Sequence, residues 1–168
     1  MKISLIAVAA IFAAFLLRPG GTPPQGESPD ETCALTCGGV ELTEEEWREK
    51  LSPEAFRILR EHGTERPFTG KYWNHTGDGT FHCAGCETAL FSSSHKFDSG
   101  TGWPSFTRAI DPVAVGTQID RSHGMVRTEV HCATCKGHLG HIFQDGPPPE
   151  RTRYCINSVA IAFREQDP

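Results

Sequence analysis

Cys132-Ala133-Thr134-Cys135-Lys136-Gly137-His138-Leu139-Gly140-His141-Ile142-Phe143 joins a pair of closely spaced thiols to an apolar segment with strand character. A gap of two residues lets neighbouring thiolates reach one tetrahedral ion from a tight turn. Cys83-Ala84-Gly85-Cys86 repeats the spacing upstream, so the two knuckles together offer the sulfurs of a closed structural Zn²⁺ site. Small residues inside each knuckle favour the metal over the alternative of two disulfides. The knuckles are separated by residues 87–131, longer than the common zinc-ribbon spacing, and the ion would staple distant segments together.

Around this junction the chain is turn-rich, with 17 Gly and 12 Pro in 168 residues. Apolar pieces at Phe81, Ala89 to Phe91, Phe106 to Ile110, Val126 to Val130, Leu139 to Phe143 and Ile156 to Phe163 read as strands of a mainly β, antiparallel domain. Ahead of them, Thr43-x-x-Glu46 is a capping box, and Ser52-Pro53 places a cap and a first-turn proline before Ala55 to Leu59. Two short helices, the second stopped at Gly63, therefore open the domain. In the last segment, period-two alternation sends Arg153, Cys155 and Asn157 to one face with Val159, Ile161 and Phe163, so that a cation, a thiol and an amide share a surface.

The length suits one hydrophobic core. A net charge of −5 without a basic block argues against nucleic acid as a partner. Residues 1–18 carry Lys2, an apolar run from Ile3 to Leu17 and Arg18, the pattern of a signal peptide or short membrane anchor. Export to a periplasm-like compartment follows, with the membrane touched only through that anchor. Residues 19–40 mix Pro, Gly, Glu and Ser and read as a flexible linker containing Cys33 and Cys37; the catalytic domain is expected over 41–165.

Cys155 stands outside the paired cysteines and is free for chemistry. Arg153 on the same face would favour its thiolate, the reactive form, although a lone cysteine is also a common small core residue. His138, His141 and Asp145 follow the second knuckle and are candidate proton donors, with metal ligation the alternative for the two histidines. Ser99-Gly100-Thr101-Gly102-Trp103-Pro104-Ser105-Phe106 is a glycine-loosened loop presenting an indole, as a core plug or as an apolar wall for a methyl or thioether group.

Taken together, the knuckles, Gly-Trp-Pro-Ser-Phe at 102–106, Gly-His-Leu-Gly-His-Ile-Phe at 137–143 and Arg-Tyr-Cys-Ile-Asn-Ser at 153–158 resemble the MsrB family of peptide methionine-R-sulfoxide reductases, over about Leu42 to Phe163. The resemblance implies a fold of two antiparallel sheets in a tent-like arrangement. It implies Cys155 as nucleophile, Cys83, Cys86, Cys132 and Cys135 as structural Zn²⁺ ligands, and Trp103 as the seat of the substrate methyl group. His138, His141, Asp145, Arg153 and Asn157 would bind and protonate the sulfoxide oxygen. Thr101 stands where a common family pattern has a resolving cysteine, which leaves Cys33 or Cys37 as the expected resolving thiol, with a thioredoxin-like reductant recycling the enzyme. The alternatives are a Cys33/Cys37 disulfide or an outside thiol as reductant, and, for the whole chain, a zinc-ribbon binding module.

Overall fold

The computed structural model describes residues 39–166, and every structural statement below concerns those residues. The expected signal segment, nearly all of the linker, and Cys33 and Cys37 lie outside them. Val40, expected at the linker's end, already packs on the core and its N–H bonds to Thr134 O at 3.3 Å.

Both helices form where their caps predict. Thr43 Oγ1 accepts from Glu46 N–H while Thr43 N–H donates to Glu46 Oε2 at 2.7 Å, starting α1 (Glu44–Lys50). Ser52 Oγ accepts from Ala55 N–H at 3.2 Å, starting α2 (Pro53–Leu59). Each satisfied N–H removes one orphan donor, worth about 1 kcal/mol per cap. The apolar face of α2 buries Phe56, Ile58 and Leu59. Arg60 at its end donates to Cys135 O at 2.8 Å, and a Cβ on Gly137 would meet Leu59 and Cys135 Sγ, so the helical segment covers the second knuckle.

The strands form two antiparallel sheets. The smaller contains β1 (Gly79–Cys83), β2 (Ala89–Ser92) and β9 (Ile161–Glu165) in the order β2-β1-β9. The larger contains β3 (Lys96–Phe97), β4 (Ser105–Phe106), β5 (Val115–Asp120), β6 (Arg127–Cys132), β7 (His138–Phe143) and β8 (Arg153–Ile156), in the order β3-β4-β8-β7-β6-β5. Aromatic contacts join them: Phe106 of β4 stacks on Phe91 of β2 with centroids 4.5 Å apart and meets Phe81 of β1 edge-on at 5.1 Å. Phe81, Phe91 and Phe106 are fully buried and anchor the common core.

Two expectations need correction. The segment from Arg153 to Phe163 is not one strand: β8 ends at Ile156, a single 3-10 turn spans Ser158–Ala160, and β9 enters the other sheet. The common face expected for Cys155 with Ile161 and Phe163 is therefore broken. The strand expected over Phe106 to Ile110 is confined to Ser105–Phe106, leaving Ile110 in a connection and 44% exposed. One further strand lies outside those expectations: β5 alternates the β-branched Val115, Thr117 and Ile119 on an edge where Ile119 is 65% exposed.

Strict alternation would place His138 and His141 on opposite faces of β7. They face the same way because the β6–β7 register slips between Val130 and His131, a bulge that inserts Leu139 as an extra residue. Gly140 follows directly and permits close approach to β8: a Cβ there would lie 2.0 Å from Cys155 O. Gly140→Ala is therefore expected to force β7 and β8 apart and to destabilise the fold by about 1–3 kcal/mol, read from urea unfolding midpoints. A variant as stable as the parent would contradict this account of the contact.

Candidate active site

Cross-strand pairing assembles a polar row on one face of the larger sheet. Ser105 of β4 pairs with Cys155 of β8, Cys155 with His141 of β7, His141 with Glu129 of β6, and Glu129 with Gln118 of β5. Directly opposed residues have their side chains side by side. The thiol is thus fixed beside an imidazole by backbone ladders.

Above this row lies a pocket of about 110 Å³ lined by Thr64, Trp103, Arg127, His141, Phe143, Cys155, Ile156 and Asn157, with Gly140 beneath. Cys155, Trp103, His141 and Asn157 meet here. Indole and phenyl walls beside a thiol and two polar groups suit a ligand with a small apolar group next to a polar one. Trp103 is not a core plug: it lines the pocket and its Nε1–H donates to Glu65 O at 3.2 Å. Gly102 allows that placement, since it adopts φ +85° and its O accepts from Phe68 N–H at 2.8 Å.

His138, Asp145 and Arg153 do not line this pocket. Asp145 stays largely exposed and takes a two-pronged ion pair from Arg153, with Nε 2.8 Å from Oδ1 and Nη2 2.9 Å from Oδ2. The guanidinium lies over the Phe143 ring at 4.6 Å. Arg153 is thereby held rigid behind the thiol.

Its effect on Cys155 is smaller than the sequence suggested. Burial pushes the Cys155 thiol above its ordinary value of 9.0, and the opposing charge and hydrogen bond of Arg153, with a hydrogen bond from Thr101, do not cancel that rise. Asp145 adds to it, because its negative charge repels the thiolate. The resting group is a protonated thiol near neutral pH.

The two histidines belong to different hydrogen-bond sets. His141 Nε2 donates to Asp120 Oδ2 at 2.8 Å, and Asp120 is held well below the usual carboxylate range by Ser122, His141 and Arg127. His138 Nδ1 donates to Glu129 Oε1 at 2.8 Å, and burial lowers the His138 pKa despite that bond. The two rings sit 5.4 Å apart in an edge-on arrangement.

Glu65 had no distinguishing signal in the sequence, yet it ties the site together. Its carboxylate accepts from Ser158 N–H at 2.6 Å and Val159 N–H at 3.1 Å, holding the turn where the chain leaves β8. Its backbone N–H donates to Asn157 Oδ1 at 3.0 Å, while Asn157 Nδ2 donates to Leu139 O at 3.0 Å. Burial raises the Glu65 pKa against those backbone bonds. Thr64, Arg127, Asp120 and Glu129 also escaped the sequence reading, for they are scattered polar residues brought together only by the sheet.

The four knuckle cysteines converge apart from this pocket. Cys83 Sγ lies 3.6 Å from Cys135 Sγ and Cys86 Sγ lies 3.5 Å from Cys132 Sγ, with all four sulfurs within 4.8 Å of one another. A tetrahedral ion with bonds of about 2.3 Å requires sulfurs about 3.8 Å apart, so the set fits a metal. No disulfide links them. The donors cross-link β1 and the turn after it to β6 and the turn before β7.

A thiol on an antiparallel sheet, facing an indole and an imidazole and braced by a four-thiolate clamp, defines a SelR domain, and that family's description matches residues 51–165. The chain is 58% identical over 127 residues to peptide methionine sulfoxide reductase MsrB of Synechococcus sp. (strain RCC307), covering 76% of this chain and 93% of that protein. Identity is 58% over 125 residues to the MsrB of Thiobacillus denitrificans (74% and 95% covered) and 56% over 129 residues to that of Agrobacterium fabrum (77% and 96% covered). The chain belongs to the MsrB family of peptide methionine sulfoxide reductases.

Two outcomes follow from the geometry. Carbamidomethylation of Cys155, followed by peptide mass, should still be accelerating as pH rises past 9.0, and Arg153→Met should move the rise to higher pH because it removes the main opposing charge. A plateau below pH 8 would contradict the burial argument. Glu65→Gln should cost about 1–3 kcal/mol in urea unfolding, since its NH2 would replace one of the two oxygens that accept separately from Ser158 and Val159 and would face a backbone N–H there.

Proposed function

We propose that the protein reduces methionine-R-sulfoxide, in oxidised proteins or peptides, to methionine, with Cys155 as the nucleophile. The observation that carries this reading is the convergence of Cys155, Trp103, His141 and Asn157 on one small pocket. Trp103 and Phe143 would receive the methyl and thioether carbons, leaving the sulfoxide oxygen to the polar side.

A sulfoxide accepts a thiolate only when its oxygen is protonated or strongly hydrogen-bonded. His141 and Asn157 line the pocket and serve this role directly; His138, with its ring 5.4 Å from His141, acts through it or through water. Arg153, oriented by Asp145, stabilises the negative charge that develops on Cys155 sulfur as its proton leaves. Oxygen transfer yields methionine and a Cys155 sulfenic acid. A second thiol then attacks that sulfur, releasing water and forming a disulfide, which a thioredoxin-like dithiol reduces by exchange.

The four clustered cysteines are committed to a structural Zn²⁺, which would contribute cross-linking and no chemistry. Thr101 sits beside Cys155 and cannot resolve the sulfenic acid. Cys33 or Cys37 supplies the second thiol in this reading, and an exported location, through the segment at 1–18, would place the reductant outside the cytoplasm.

With dithiothreitol as reductant, the R epimer of a methionine sulfoxide peptide should turn over and the S epimer should not. Cys155→Ser should lower turnover at least a thousandfold. Equal use of both epimers, or activity surviving that substitution, would sink the reading. Oxidation by substrate without reductant should give a disulfide from Cys155 to Cys33 or Cys37 by peptide mapping; a Cys155 partner elsewhere would defeat the resolving assignment alone.

A further inference from the structure

Beside the catalytic pocket lies a second cavity of about 390 Å³, lined among others by His62, Asp120, Glu129, His138 and His141. At its wall, His62 Nδ1 is 3.1 Å and His138 Nδ1 2.8 Å from the same oxygen, Glu129 Oε1. One ligand atom from each of the three lies within 4.8 Å of the others, the only such group besides the cysteines among the described residues. Hydrogen bonds hold these groups together, and ligands about 2.1 Å from a tetrahedral ion stand about 3.4 Å apart, so an ion replacing the two protons needs both pairs to open by only a few tenths of an ångström. Glu129 is further braced through its second oxygen by Gln118 Nε2 at 2.9 Å, the kind of outer contact that orients a metal-binding carboxylate.

Burial separates this group from an ordinary surface cluster. Glu129 and His138 are almost wholly buried, with side chains 6% and 2% exposed, whereas His62 is 58% exposed and opens the group to solvent. The nitrogen of His138 that meets Glu129 is Nδ1, so the pair is held on the buried side of the cavity wall while His62 closes it from the solvent side.

We infer that His62, Glu129 and His138 form a second metal site, taking a first-row divalent cation through one nitrogen of each imidazole and the Glu129 carboxylate, and that filling it inhibits the enzyme. Imidazole and carboxylate suit zinc, cobalt, nickel or copper, with water completing the coordination on the open side. The inhibitory part rests on the reading of His138 as a participant in protonating the sulfoxide. An ion there would immobilise His138 and place positive charge beside His141, Thr64 and Arg127, residues that line both cavities.

The test titrates Co²⁺ into the full chain preloaded with one equivalent of Zn²⁺. One further equivalent should bind with the weak visible absorption of nitrogen and oxygen ligands and should broaden the imidazole resonances of His62 and His138 first. His62→Ala, an exposed change outside the catalytic pocket, should weaken binding at least tenfold. No further equivalent, thiolate-to-cobalt charge-transfer bands, or unchanged affinity in His62→Ala would overturn the site. Turnover of the R-sulfoxide peptide should fall as the wild-type site fills and hold steady in His62→Ala. Unchanged turnover at saturating Co²⁺ would overturn the inhibitory part alone. The spectroscopic arms need no reductase activity, so failure of the functional reading would be visible separately.

Discussion

The buried Glu65 carboxylate holds the one crossing on which the rest of the molecule depends. Between Ile156 and Ile161 the chain leaves the larger sheet and enters the smaller one, exposing backbone N–H groups that no ladder can satisfy. Glu65 accepts two of them, at Ser158 and Val159. The same residue receives the Trp103 indole on its carbonyl and offers its own N–H to Asn157. One residue thus fixes where the strand that carries Cys155 ends, where the indole stands and how the amide is turned. Hydrogen bonds to a buried charge are worth about 1.5–3 kcal/mol each, enough to offset much of the cost of burying that charge.

Around this crossing the structure divides its labour. The cysteine cluster and the two capped helices secure one end of the sheets, and the Phe81, Phe91 and Phe106 contacts secure the space between them. The polar row from Ser105 to Gln118 can then be built on a rigid sheet rather than on loops. Sheet ladders position opposed side chains more tightly than loops do, as a reacting thiol requires.

What was legible in the sequence had local causes. Thr43 with Glu46, and Ser52 with Pro53, announce helix starts because a cap is a contact between near neighbours. The cysteine pairs announce a metal clamp for the same reason. Glu65 was not legible because its partners Asn157, Ser158 and Val159 are 92 to 94 residues away. The shared face of His138 and His141 was hidden by the bulge at Leu139, which no period-two reading contains. Val115–Asp120 offers only the short alternation of Val115, Thr117 and Ile119 with Gly116 and Gln118 between them, a weak signal typical of an exposed edge strand.

The protonated state of resting Cys155 has a consequence for an enzyme that handles oxidised targets. Peroxide is consumed by thiolates, which attack its oxygen and expel hydroxide, so a sulfur kept as a thiol by burial is spared. Reducing a sulfoxide consumes two protons on the way to water, and a thiol carries one of them into the pocket. The charge of Arg153 favours the ionised sulfur and that of Asp145 opposes it, and burial outweighs both in keeping the thiol protonated. Removing Asp145 would therefore shift this balance toward the thiolate and toward reaction with peroxide. The balance between burial and guanidinium is in this sense a property of the β8 strand itself, which carries the cation and the thiol two residues apart on one face.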